Sequence, residues 1–286
     1  MLQTRTLILT ALAMLAFAGN SLLCRLALRE TGIDAASFTG LRLLAGALTL
    51  WLLLRMRQPK TTFSYAREAL LSALWLFIYA AAFSFAYLEL ETGTGALLLF
   101  GAVQLTMIMV GWLQGERFSA RQYLGLSMAL GGVLALLLPS SSAPKLSAAL
   151  LMLISGMAWG FYSLKGRTTQ DPLATTANSF LISLPLAALL ALLCHEQLQL
   201  DANGVLYALL SGALTSAIGY ALWYSALRGL AAFQAASVQL SVPVLAALAG
   251  ALLLEEPLSL QLLLSSAAVL GGIALLLFSA RAQKTA

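Results

Sequence analysis

EEPLSLQLLLSSAAVLGGIALLLF, residues 255–278, opens on two acids and then carries no charged residue through Phe278. A helix rises 1.5 Å per residue, so about 20 apolar residues cross a hydrocarbon core roughly 30 Å thick. The stretch has that length, and it lacks the strict alternation that a barrel strand would need. It reads as a membrane span. Similar runs recur along the whole chain, near 6–24, 35–54, 68–88, 93–113, 120–138, 146–165, 173–194, 204–227, 232–254 and 259–280. Composition agrees: the 286 residues are 60% hydrophobic and 9% charged, whereas soluble domains carry about 25% charge. The expected fold is all-α, a polytopic membrane protein of ten transmembrane helices. Arg5 and the run from Leu7 to Leu23 have the look of a signal peptide. Because equal runs follow, the first is read as a retained span.

Charge sorts the connections by side. With the N-terminus inside, the inner segments hold Arg5, Arg55, Arg57, Lys60, Arg67, Arg117, Arg121, Lys165, Arg167, Arg228, Arg281 and Lys284. The outer segments hold only Arg25, Arg29 and Lys145. That bias places both termini in the cytoplasm, and the expected location is a bacterial inner membrane. The net charge of +5 is scattered between apolar runs, which argues against a nucleic-acid partner. Cys24 and Cys194 stand in no metal-ligand spacing and His195 is the only histidine, so no metal site is expected.

The opening stretch also has a counterpart. GERFSARQYLGLSMALGGVLALLL begins at Gly115, and a shift of 140 residues lays Glu116 on Glu256, Ser119 on Ser259, and Gly131-Gly132 on Gly271-Gly272. AGN at 18–20 falls against WGF at 159–161 at an offset of 141. A five-span unit used twice must enter the membrane the second time upside down, because five is odd. The expected organisation is therefore two inverted five-helix repeats, 6–138 and 146–280, an arrangement many secondary transporters use.

The stretch from Gly219 to Phe278, with its aromatic-rich eighth span, Pro243 in the ninth, a glutamate at that span's end and a double glycine in the tenth, resembles the EamA-domain branch of the drug/metabolite transporter superfamily. AFAGNS at 16–21 and FTGLRLLAGAL at 38–48, with Arg42, resemble it in the first half. The resemblance implies a carrier of amino acids, other small metabolites or drugs, often outward, through a cavity between the halves. Two departures stand out: Val103 occupies the first-repeat position matching Pro243, and Ala18 the position matching Trp159.

Residue by residue, polar and aromatic groups at membrane depth suggest a cavity for a small amphipathic solute. Asn20, Tyr79, Gln104, Trp159, Tyr220, Tyr224 and Gln239 are the candidates; their structural alternative is interhelical hydrogen bonding. Tyr220 and Tyr224, four apart, share a helix face. Arg42 lies within the second span, where a charge is expensive. It either anchors backbone carbonyls or Glu30 and Asp34, or it faces a solute. Pro243 removes a backbone donor and loosens its helix, as a static kink or as a hinge. Glu116 and Glu256, matched by the repeat, are gating or structural candidates. Pro257 suits the first turn of the tenth helix, with Glu255 and Glu256 capping it. Trp51 and Trp112 belong to the interface belts, and Gly156-x-x-x-Gly160 is a close-packing pattern.

No Ser-His-Asp set, HExxH or phosphate-binding glycine loop is present, so neither an enzyme nor a cofactor is expected. The reading is a secondary transporter working by alternating access, its partners a small-molecule substrate and membrane lipid, as a monomer or a homodimer. The rivals are a non-transporting membrane scaffold or sensor, and a lipid-modifying membrane enzyme.

Overall fold

A computed structural model of the chain describes residues 4–57, 66–115, 118–139, 143–166, 169, 171–230 and 232–285, with the side chains of 232–233 and 280–285 left out of the description. Ten helices are long and apolar enough to cross a membrane: α1 (Thr4–Glu30), α2 (Ala35–Arg57), α3 (Arg67–Tyr87), α4 (Thr92–Leu113), α5 (Ala120–Leu137), α6 (Leu146–Gly166), α7 (Pro172–Leu193), α8 (Ala202–Leu227), α9 (Gln234–Leu253) and α10 (Leu260–Ser279, continuing to Thr285). Among the described residues there is no strand. In lipid every backbone polar group must bond within its own segment, which leaves helices as the answer to so many apolar runs.

The side chains are arranged for lipid outside and close contact inside. Leu48, Leu134, Leu252, Leu264 and Phe278 are exposed. The buried positions are dominated by Ala, Gly, Ser, Thr and aromatic residues, the small residues letting backbones approach. A Cβ on Gly156 would meet the Leu99 carbonyl and Ala102, and one on Gly160 would meet Thr106, so this pair seats α6 on α4.

α5 and α10 pack along their length in antiparallel register. Gly125 lies on Gly272, Gly132 lies on Ala268 and Val269, and the Gln261 amide donates to the carbonyls of Ala135, Leu136 and Leu138 at 2.9, 3.1 and 3.1 Å. α4 and α9 are antiparallel as well, with Gly93 on Ala247 and Gln104 donating to the Ala236 carbonyl at 3.5 Å. The matched serines do the same job at both places. Ser119 caps α5 in a capping box with Gln122, and Ser259 caps α10 by accepting from the Leu262 N–H at 3.1 Å.

Two spans are irregular. α8 widens into a π-helical segment over Ser211–Ile218. α9 breaks at Leu240, between helical segments Ala232–Gln239 and Ser241–Leu253. Pro243 explains that break, since it has no N–H to offer the Gln239 carbonyl and its ring crowds the same oxygen.

The link from α9 to α10 departs from expectation. Helix α10 begins at Leu260 behind Ser259, so Pro257 lies before the helix and not in its first turn. Glu255 takes a left-handed φ of 54°, which reverses the chain and returns the Glu256 N–H to the Gly250 carbonyl at 3.2 Å. Glu256 thereby turns back into the bundle and does not cap α10.

Candidate functional site

α1, α3, α4, α6 and α8 line a small cavity of about 20 Å³. Asn20, Tyr79, Trp159, Thr215 and Tyr220 supply its polar and amphipathic lining, and Phe17 and Phe83 its apolar walls. The rings form a connected cluster. Trp159 lies 4.8 Å from Tyr79 and 5.0 Å from Tyr220, centroid to centroid, and Phe17 meets Tyr220 edge-on at 6.0 Å. The volume holds about one water.

A polar network runs behind the cavity. The Asn20 carbonyl oxygen accepts from Ser211 at 2.7 Å and Thr215 at 3.2 Å, and its amide donates to the Tyr79 hydroxyl at 3.3 Å. Arg42 donates through Nη2 to that same hydroxyl at 2.7 Å and through Nε to Ser216 at 3.3 Å. Its guanidinium also sits over the rings of Tyr79 and Phe83 at 5.1 and 4.9 Å, where π faces offset part of the cost of burying charge. Ser211, Thr215 and Ser216 all come from the π-helical segment, and Gly212 within it lets α8 press on the Arg42 backbone. The widened turn is what brings these three hydroxyls to α1 and α2.

Arg42 is 1% exposed. Its hydrogen-bond partners are neither carbonyls nor Glu30 and Asp34. Glu30 pairs with Arg29 at 3.1 Å. Asp34 caps α2, accepting from Ala36 and Ser37 at 2.8 and 2.9 Å, and accepts from Gln199 at 2.8 Å. Burial raises the Asp34 pKa, but these hydrogen bonds together outweigh it and hold the carboxyl below its ordinary value.

Of the seven cavity candidates, Asn20, Tyr79, Trp159 and Tyr220 meet at this one cavity. The other three lie off it. Gln104 joins α4 to α9, Gln239 bonds within its own helix to the Ala235 carbonyl at 3.4 Å, and the Tyr224 hydroxyl packs beside Gly166. Glu116 lies outside the described residues. Among those residues no group of His, Cys, Asp and Glu could hold a metal ion.

At the end of the bundle that carries Glu91 and Glu256, a second cluster draws four helices together. Glu256, 7% exposed, accepts from the Thr92 N–H at the start of α4 at 2.7 Å and pairs with Arg25 of α1 at 3.2 Å. Arg25 also donates to the carbonyls of Tyr87 and Leu88 at the end of α3, both at 3.0 Å. Arg29 donates to the Leu254 carbonyl at the end of α9 at 3.0 Å, and Gly250 leaves room for Glu256 against Thr92. Glu91 lies half-buried beside this bolt; burial and then the Glu256 charge push its carboxyl up. Sequence reading counted Arg25 merely as an outer basic residue. Its partner stands 231 residues away, which no local signal reveals.

Ten helices long and apolar enough to cross a membrane, five of them lining an aromatic and polar cavity, define a multi-pass membrane protein. The model of the EamA-like transporter family matches residues 146–278, and the chain is a membrane transporter. It is 63% identical over 273 residues to an uncharacterized protein of Pseudomonas aeruginosa, covering 96% of this chain and 94% of that one. It is 27% identical over 188 residues to an uncharacterized transporter of Archaeoglobus fulgidus, covering 64% of this chain and 67% of the relative. A solved crystal structure shares the fold with a TM-score of 0.69 at 18% identity, over 95% of this chain and 96% of its own.

Proposed function

We propose that this chain is a secondary transporter that exports a small organic solute by alternating access, built from two inverted five-helix repeats, 6–138 and 146–280. The observation that carries the reading is the position of the cavity. It lies between α1, α3 and α4 of one half and α6 and α8 of the other; α1 and α3 are the counterparts of α6 and α8 under the 140-residue shift, and α4 joins from the first half alone. The antiparallel registers of α4 with α9 and of α5 with α10 support inversion, as counterpart helices must oppose one another. The helix pairings support it too: α3 packs on α6 as α8 packs on α1, and α2 packs on α8 as α7 packs on α3. The family match to 146–278 has nearly the bounds of the second unit.

In this reading the Arg25–Glu256 bolt closes the outer end. Alternating access requires it to break while the opposite end closes around the solute. The break in α9 beside Pro243 gives that span a place to bend. The orientation is both termini cytoplasmic, in the bacterial inner membrane, as the positive-inside bias argues.

The test is flux from liposomes reconstituted with the pure protein and loaded with pooled labelled metabolites. Alternating access predicts saturable solute exit, together with labelling of cysteines placed at Asn20 or Tyr79 that depends on the side probed. A protein that moves no solute, and whose centre stays closed to reagents from both sides, is a scaffold or sensor.

A further inference from the structure

Unpartnered polar groups gather in the cavity lining and, with Arg42, behind it. Arg42 Nη1 is buried without a hydrogen-bond partner, and so is the Tyr220 hydroxyl. The Tyr79 hydroxyl already accepts from both Arg42 and Asn20, so it can turn its own proton to an incoming acceptor. The Asn20 carbonyl oxygen is occupied by Ser211 and Thr215. Charge is unbalanced there as well. The ion pairs of the described residues are Arg25–Glu256, Arg29–Glu30 and Lys145–Glu89. Arg42 belongs to none of them, and no acid lines the cavity. A buried cation with hydroxyls and π faces for company lacks the anion that would satisfy it.

We infer that the solute carried through this site is an organic anion, its carboxylate bound by Arg42 and Tyr79 and its apolar body held among Trp159, Tyr220 and Phe17. The inference rests on the transporter reading and names its substrate class. A carboxylate offers one oxygen to the free Nη1 and the other to the Tyr79 O–H, hydrogen bonds strengthened by charge. A cationic solute finds no counter-charge there and meets Arg42 as a like charge. The inference also supplies a driving force where no acid lies at mid-depth to relay protons. An inside-negative potential expels an anion, by a concentration ratio of about fifty-fold per 100 mV for one net charge.

The experiment uses the full-length protein in liposomes, loaded with matched sets of labelled aromatic and aliphatic acids, their primary amides and the corresponding amines. Acids are expected to exit at least about ten-fold faster than their amides, with amines slowest, and a potassium-diffusion potential, negative inside, is expected to speed the acids alone. Arg42→Gln is expected to erase the preference for acid over amide. Tyr79→Phe, which keeps the ring packing, is expected to weaken it without reversing it. Each variant is checked for helix content and monodisperse elution. Should Arg42→Gln fail to fold, the wild-type ranking, its voltage response and Tyr79→Phe still decide. Amides or amines moving as fast as acids would overturn the inference and leave transport standing. Absence of flux for every set would overturn both.

Discussion

Glu256 looked like a cap for the helix that follows it, and it caps a different one. Its carboxylate sits on the first N–H of α4, where the helix dipole favours a negative charge, and it holds Arg25 at the same time. Removing one member of a buried pair leaves the other without compensation, typically at 3–5 kcal/mol. The two members differ here. An amide at 256 can still accept from Thr92, and Arg25 would keep two carbonyls. Glu256→Gln should therefore lower stability by about 1–3 kcal/mol, and Arg25→Gln by more, since it strands a buried carboxylate next to Glu91. Thermal unfolding in detergent with the double variant as the third corner measures this, and equal losses for the two single variants would refute it. Glu91 sharpens the pH dependence. Its raised pKa means that the ionised form is disfavoured in the fold. Its contribution is thus least favourable above the folded pKa and improves as pH falls towards the ordinary carboxylate value. Asp34 has the opposite sign: its depressed pKa gives stability that is lost as pH falls.

At the scale of elements the sequence was most readable where lipid imposes the rule. Ten spans follow from length and apolarity, and Ser119 and Ser259 were visible as repeat partners before either was seen as a cap. The π-helical segment was invisible, because SGALTSAI at 211–218 holds no proline or other residue that separates a π-helical turn from an α-helical one. The serine and threonine hydroxyls that bond Asn20 and Arg42 come from that segment, so half of the network escaped notice. The double glycines were read as one feature, and they divide into two. A Cβ on Gly272 would press into the Ala129 N–H and the Gly125 carbonyl, and one on Gly132 into Val269, while Gly131 and Gly271 have nothing within 4 Å. Backbone cannot give way as a flexible side chain can. Gly272→Leu should destabilise by about 1–3 kcal/mol or more and Gly271→Leu by less than about 0.5 kcal/mol. A similar loss at both sites would show that α5 and α10 do not pack in this register.

The proposed transport cycle requires a fixed orientation in the membrane and an opening at the bolted end, and the two native thiols test both. Cys194 closes α7 and is partly exposed, whereas Cys24 is buried next to Arg25 in the sequence. With the N-terminus inside, α7 runs outward, so Cys194 faces the exterior and an impermeant maleimide added to intact cells should label it. Labelling only after permeabilisation would reverse the topology, and with it the assignment of the bolt to the outer side. In a Cys194→Ser background, the same reagent should leave Cys24 unlabelled while Arg25 and Glu256 hold the end shut. Adding Glu256→Gln weakens a contact that spans α1, α4 and the end of α9, and should raise the labelling rate of Cys24 several-fold. The distinction from general loosening lies in Gly272→Leu, which disturbs α5 and α10 but does not touch the bolt. If that variant exposes Cys24 as fast as Glu256→Gln does, the bolt is one contact among many. If only Glu256→Gln exposes it, the four helices joined at Arg25 and Glu256 open as a unit.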